Sequence, residues 1–125
     1  MIEVSRRRFE RLVRRAVRTL PPPFRQRLDN LDITVEYRPS RRQLRESGVA
    51  PGYTLLGLYQ GVPHTRRGEW YNYTLPDRII IFQEPIEARC DSDQGLVAEV
   101  RRTVIHEIAH HFGIDDARLA ELGRD

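Results

Sequence analysis

The sequence predicts an α+β fold on three observations. An amphipathic helical period lies near the start, alternating and β-branched runs occupy the middle, and a second, longer helical pattern follows them. At 125 residues, with 39% apolar and 31% charged side chains, the chain has the size of one compact domain and a composition unlike that of a disordered polymer. One domain over residues 1–125 is therefore expected. No stretch approaches the ~18 consecutive apolar residues of a membrane span, so no membrane association is expected.

From Phe9, the apolar residues Leu12, Val13, Ala16, Val17 and Leu20 recur every three or four positions and mark one face of a helix. Ser5 is its candidate N-cap, and Pro21-Pro22-Pro23 ends it. A short helical turn is expected from Pro23 to Leu28. Ile33, Val35 and Tyr37 alternate with Asp32, Thr34 and Glu36, the period of a half-buried strand. The polar stretch from Arg38 to Tyr53, with Pro39, Gly48, Pro51 and Gly52, reads as a loop. Strands are expected over Thr54–Tyr59, Trp70–Thr74 and Ile79–Phe82, the last bounded by Pro76-Asp77 and Pro85. A long helix then begins near Ser92, with Asp91 or Ser92 as cap and Gly113 placed to end it.

All 21 basic residues are Arg, against 18 acids, and they are unevenly spread. Residues 1–45 hold 13 Arg and 5 acids, whereas residues 46–125 hold 8 Arg and 13 acids. Such asymmetry admits a nucleic-acid role, but the densest Arg run coats the outward face of the first helix, where solvated charge is the ordinary explanation. The first residues lack the 7–15-residue apolar segment of a secretory signal, and the single Cys90 provides no disulfide framework; a cytoplasmic location is expected.

The last helical pattern carries the chemistry. Residues 106–110 read His-Glu-Ile-Ala-His, the H-E-x-x-H pattern. Positions four apart share a helix face, so two imidazoles can converge on one ion. With His106 at zero and ~100° per residue, His110 falls at roughly 40°, Thr103 at roughly 60° and Glu99 at roughly 20°. Val97, Val100, Val104, Ile105, Ile108 and Phe112 fall between roughly 120° and 260°, on a separate core face. Chance alone would place H-E-x-x-H in a chain of this composition about one time in a hundred. Gly113 permits a sharp turn that brings Asp116 back as a third ligand; the other reading of Asp116 is an N-terminal charge on a last short helix, Ala117 to Leu122, a role that Asp115 can fill instead. Two imidazoles and one carboxylate make the open, three-ligand set of a catalytic zinc. Glu107, beside the pair at roughly 100°, is placed to act as general base, accepting a proton from attacking water. His111 is rotated away from His110 and reads as a packing or supporting residue.

The stretch His106 to Asp116, HEIAHHFGIDD, resembles the H-E-x-x-H-x-x-G-x-x-H/D signature of the zincin-like metallopeptidases, among them metzincins and snapalysin, whose third ligand is Asp. LLGLYQGVPHTRR (Leu55 to Arg67) and LPDRIIIFQEPI (Leu75 to Ile86) are similar to segments of a small bacterial group of minimal zincins, so the likeness covers the C-terminal two-thirds of the chain. The resemblance implies a small mixed sheet packed against an N-terminal helix and the active-site helix. It also implies zinc held by His106, His110 and Asp116, Glu107 as catalytic base, and a peptide or protein substrate. By the same analogy, an exposed strand near Ile79–Phe82 or Leu55–Tyr59 would pair with an extended peptide. Metzincins place a Met turn beneath the metal, whereas the only Met here is Met1, so the floor of the site must be built otherwise. His64, Arg66, Arg67, Tyr71 and Tyr73 are lesser candidates as transition-state donors.

Two other functions compete. Ribosomal-RNA-processing endoribonucleases share the ligand spacing and suit an Arg-rich chain, but lack Glu after the first His and end in His rather than Asp. A zinc-binding regulatory module without turnover is the third reading, because the chain is short for a substrate cleft.

Overall fold

A computed structural model describes residues 1–61 and 77–112. The fold is α+β. The expected Trp70–Thr74 strand lies outside the described residues.

Helix α1 spans Arg6–Arg18, and the Ser5 hydroxyl accepts the Arg8 N–H at 3.1 Å, satisfying one of the N–H groups that a helix start leaves unpaired. Phe9, Leu12, Val13 and Ala16 are buried, as their spacing requires, while the intervening Arg residues are exposed. Helix α2 follows at Pro22–Arg27, with a 3₁₀ turn at Leu28–Asn30. Strand β1 is Leu31–Glu36.

The segment expected to be a loop contains a helix, α3, at Arg41–Glu46. It has no apolar stripe, and its stabilising feature is a capping box: the Ser40 hydroxyl accepts the Gln43 N–H at 3.0 Å, and the Gln43 side chain accepts the Ser40 N–H at 2.8 Å. Gly48 and Gly52, with φ of 71° and 87°, supply the turns after it.

Strand β2 is Gly57–Gln60, strand β3 is Asp77–Phe82, and the sheet order is β1-β3-β2. Strand β3 pairs parallel with β1 and antiparallel with β2, so the sheet is mixed. Being central, β3 has both edges occupied, which removes Ile79–Phe82 as an edge for a peptide; β2 has one edge free of β3. Ile79 to Phe82 are all fully buried, consistent with a strand covered on both faces. Pro85 does not end the run in a loop. It lies in the first turn of helix α4, Gln83–Ala88, where a missing N–H is harmless.

Helix α5, Asp93–Phe112, is the longest element and packs against α1, β2, β3 and α4. The Ser92 hydroxyl accepts the Gly95 N–H at 3.0 Å, so Ser92 is the cap. Leu96, Val100, Val104 and Ile108 form its buried stripe and meet Phe9, Leu12, Val13 and Ala16 of α1, with Ile79 and Ile81 of β3, in one hydrophobic cluster. Cys90 is buried in the same cluster, and burial pushes its thiol pKa up, away from reactivity. Among the described residues, no helix is long and apolar enough to cross a membrane.

Candidate functional site

The face of α5 turned away from its apolar stripe presents His106 and His110, with Glu107 at the border between the two faces. Both imidazoles are exposed and Glu107 is half-buried, so the histidine face and the core face are separate, as the helical angles require. His106 Nδ1 lies 2.8 Å from the carbonyl oxygen of Arg102. A carbonyl only accepts, so Nδ1 carries the proton in this contact and Nε2 is the nitrogen left to ligate a metal.

Strand β2 crosses this face closely. A Cβ on Gly57 would stand 2.6 Å from Thr103 Cγ2 and 3.6 Å from Glu107 Cγ, so only glycine lets the strand approach so near. Two residues on, the Tyr59 N–H points away from β3 and donates to Glu107 Oε1 at 2.9 Å. The Tyr59 ring stacks on His111, with centroids 3.8 Å apart and planes 9° from parallel, and its hydroxyl donates to Asp77 Oδ2 at 2.8 Å. Tyr59 thus joins β2, α5 and the start of β3. Its phenol pKa is pushed up to about 12 by burial first, and then by the hydrogen bond to Asp77 and its charge.

Burial pushes the Glu107 carboxyl above its ordinary pKa, while the Tyr59 N–H and the neighbouring His110 and His106 pull it down. These opposed influences leave a basic carboxylate in a fixed position. A cleft of about 350 Å³ opens beside it, between Thr54–Gly57 and the Glu99–Glu107 stretch of α5.

Of the sequence-predicted site residues, His106, Glu107 and His110 come together on α5. Asp116 lies outside the described residues, as do His64, Arg66, Arg67, Tyr71 and Tyr73. Among the described residues, no group of three or more His, Cys, Asp or Glu is placed to hold an ion. The donor set nonetheless fits zinc: two exposed imidazoles on one helical face, one with its tautomer fixed, beside a half-buried carboxylate. Sequence reasoning missed Tyr59 and Gly57. No pattern in residues 54–61 gives the register that aims one N–H at a helix 48 positions away. His111, expected to pack or support, does so through the Tyr59 ring.

An α+β fold that carries H-E-x-x-H on its longest helix, against a strand at one side of its sheet, belongs to the metallopeptidase class of architectures. Residues 28–124 match the model of the zincin-like metallopeptidases, and the chain belongs to that family. A solved structure described as a conserved hypothetical protein from Thermo thermophilus is similar over 97% of this chain and 100% of its own, with a TM-score of 0.57 and 23% identity, a likeness of fold. No curated protein sequence matches the chain.

Proposed function

We propose that the chain is a zinc-dependent peptidase of the cytoplasm, formed by one domain over residues 1–125 and acting on peptides or exposed protein segments. The observation that carries this reading is the placement of Glu107, whose carboxylate is fixed beside His106 and His110 by the Tyr59 N–H.

His106, His110 and Asp116 are the proposed zinc ligands. Bound zinc would supply Lewis-acid polarisation of the scissile carbonyl and of water. The remaining work belongs to the chain. Glu107 Oε1 is engaged by Tyr59, which leaves Oε2 to take a proton from attacking water and return it to the departing amine. Half-burial and a raised pKa suit a group that must both accept and release a proton. The edge of β2 away from β3, where the Tyr59 N–H already meets Glu107, is the surviving candidate for pairing with an extended substrate.

Digestion of a peptide library by the zinc-supplemented protein tests the proposal. Cleavage at defined positions is expected. If RNA is cut and no peptide is, the endoribonuclease reading replaces it, and zinc binding without any cleavage leaves the regulatory module.

A further inference from the structure

The cleft beside Glu107 extends beyond His106. At its far end lies Glu99, only 7% exposed, with the guanidinium groups of Arg89 and Arg102 both paired to its carboxylate. Arg89 Nε is 3.4 Å from one oxygen, and an Arg102 terminal nitrogen contacts the other. Two guanidinium groups therefore share one carboxylate at this end of the cleft. Each guanidinium has five N–H donors, and Glu99 engages one nitrogen of each. Both Arg side chains remain more than half exposed while Glu99 fixes their inner ends. The result is a pre-positioned pair of planar donors, suited to a carboxylate.

Resting on the peptidase reading, we propose that this Arg89–Arg102 pair is a specificity site that binds a carboxylate of the substrate peptide, from an acidic side chain or the chain end. Glu99 and His106 are seven residues apart on α5, or ~10 Å at 1.5 Å per residue. An extended peptide covers that distance in about three residues. The acidic group is thus about three positions from the bond that is cut. A nucleic acid fits less well. Its closely spaced phosphates would lie against Glu107 as well as the Arg pair, and the wall between them includes Leu55 and Leu56.

The test uses hexapeptides with one Glu walked through an Ala/Gln background, each beside its Gln counterpart and with either a C-terminal acid or amide. Cleavage by the zinc-supplemented protein is followed by mass spectrometry, and binding by calorimetry. About tenfold higher kcat/KM and about tenfold tighter binding are expected for the peptide with Glu about three positions from the cut, over its Gln counterpart. A preference confined to C-terminal acids over amides would assign the carboxylate to the chain end. Arg89→Gln, at an exposed side chain, is expected to reduce the preference to less than about threefold, with Arg89→Lys restoring part of it. Selective binding without cleavage would retain the carboxylate site and remove the peptidase reading. Equal handling of Glu and Gln peptides, no peptide binding, or an oligoribonucleotide that binds in an Arg89-dependent manner would each overturn the proposal.

Discussion

The Tyr59 N–H donates to Glu107 Oε1 across 2.9 Å, so the backbone of strand β2 holds a helix carboxylate in place. Two pieces of side-chain chemistry flank that bond: Gly57 removes the steric obstacle to the approach, and the Tyr59 ring and hydroxyl pin the strand to His111 and Asp77.

Gly57→Ala is expected to destabilise the fold by about 1–3 kcal/mol, because its Cβ would meet the Thr103 methyl. Thr103→Ser deletes that methyl while keeping the hydroxyl that donates to the Glu99 carbonyl. The double variant should therefore recover about 1 kcal/mol relative to additivity in urea unfolding. Strict additivity of the two changes would place the strain elsewhere.

Tyr59 links the site to alkaline stability. A phenol in the unfolded chain titrates near ~10, whereas Tyr59 titrates at about 12. The folded state keeps its proton longer, so the stabilisation it contributes is intact below ~10 and is lost as pH rises through about 12. Tyr59→Phe should remove this slope from stability–pH curves, and Asp77→Asn should bring the Tyr59 phenolate absorbance to lower pH.

Ser92→Ala removes the hydroxyl that caps α5 and should cost about 1 kcal/mol, measured by thermal or urea unfolding. Asp91→Ala should cost less, since Ser92 and not Asp91 satisfies the helix N–H.

The elements that pack were legible in the sequence, and the relations between them were not. The apolar periods of α1 and α5 and the β-branched run of β3 announced their own burial, because burial requires those spacings. The same helical angles separated His106, Glu107 and His110 from the core. Helix α3 escaped because Leu44 is its only strongly apolar residue, although Ser40 and Gln43 stand at capping-box spacing. Pro85 suggested a boundary, yet a first-turn proline is compatible with a helix that starts directly from a strand. The central place of β3, and with it the loss of Ile79–Phe82 as a peptide-binding edge, depends on pairing between distant segments. Glu99 was already at the His106 angle, but Arg89 joins it only through the tertiary packing of α4 on α5.

Metal analysis should give about one zinc per chain in the wild-type protein. His106→Ala and Asp116→Ala are each expected to lose it, and Arg102→Gln is not, because the His106 ring is oriented by the Arg102 carbonyl and not by its side chain. Zinc retained by Asp116→Ala would transfer the third-ligand role to another residue.

If Glu107 serves the reaction without holding the ion, Glu107→Gln separates the two roles. Gln keeps the shape and an oxygen for the Tyr59 N–H, but not the basicity. Zinc content and peptide hydrolysis are measured side by side for wild type and variant. Unchanged zinc and a loss of hydrolysis of at least about a hundredfold are expected. Hydrolysis that survives the substitution would remove Glu107 as the base, and zinc that leaves with it would make Glu107 a ligand.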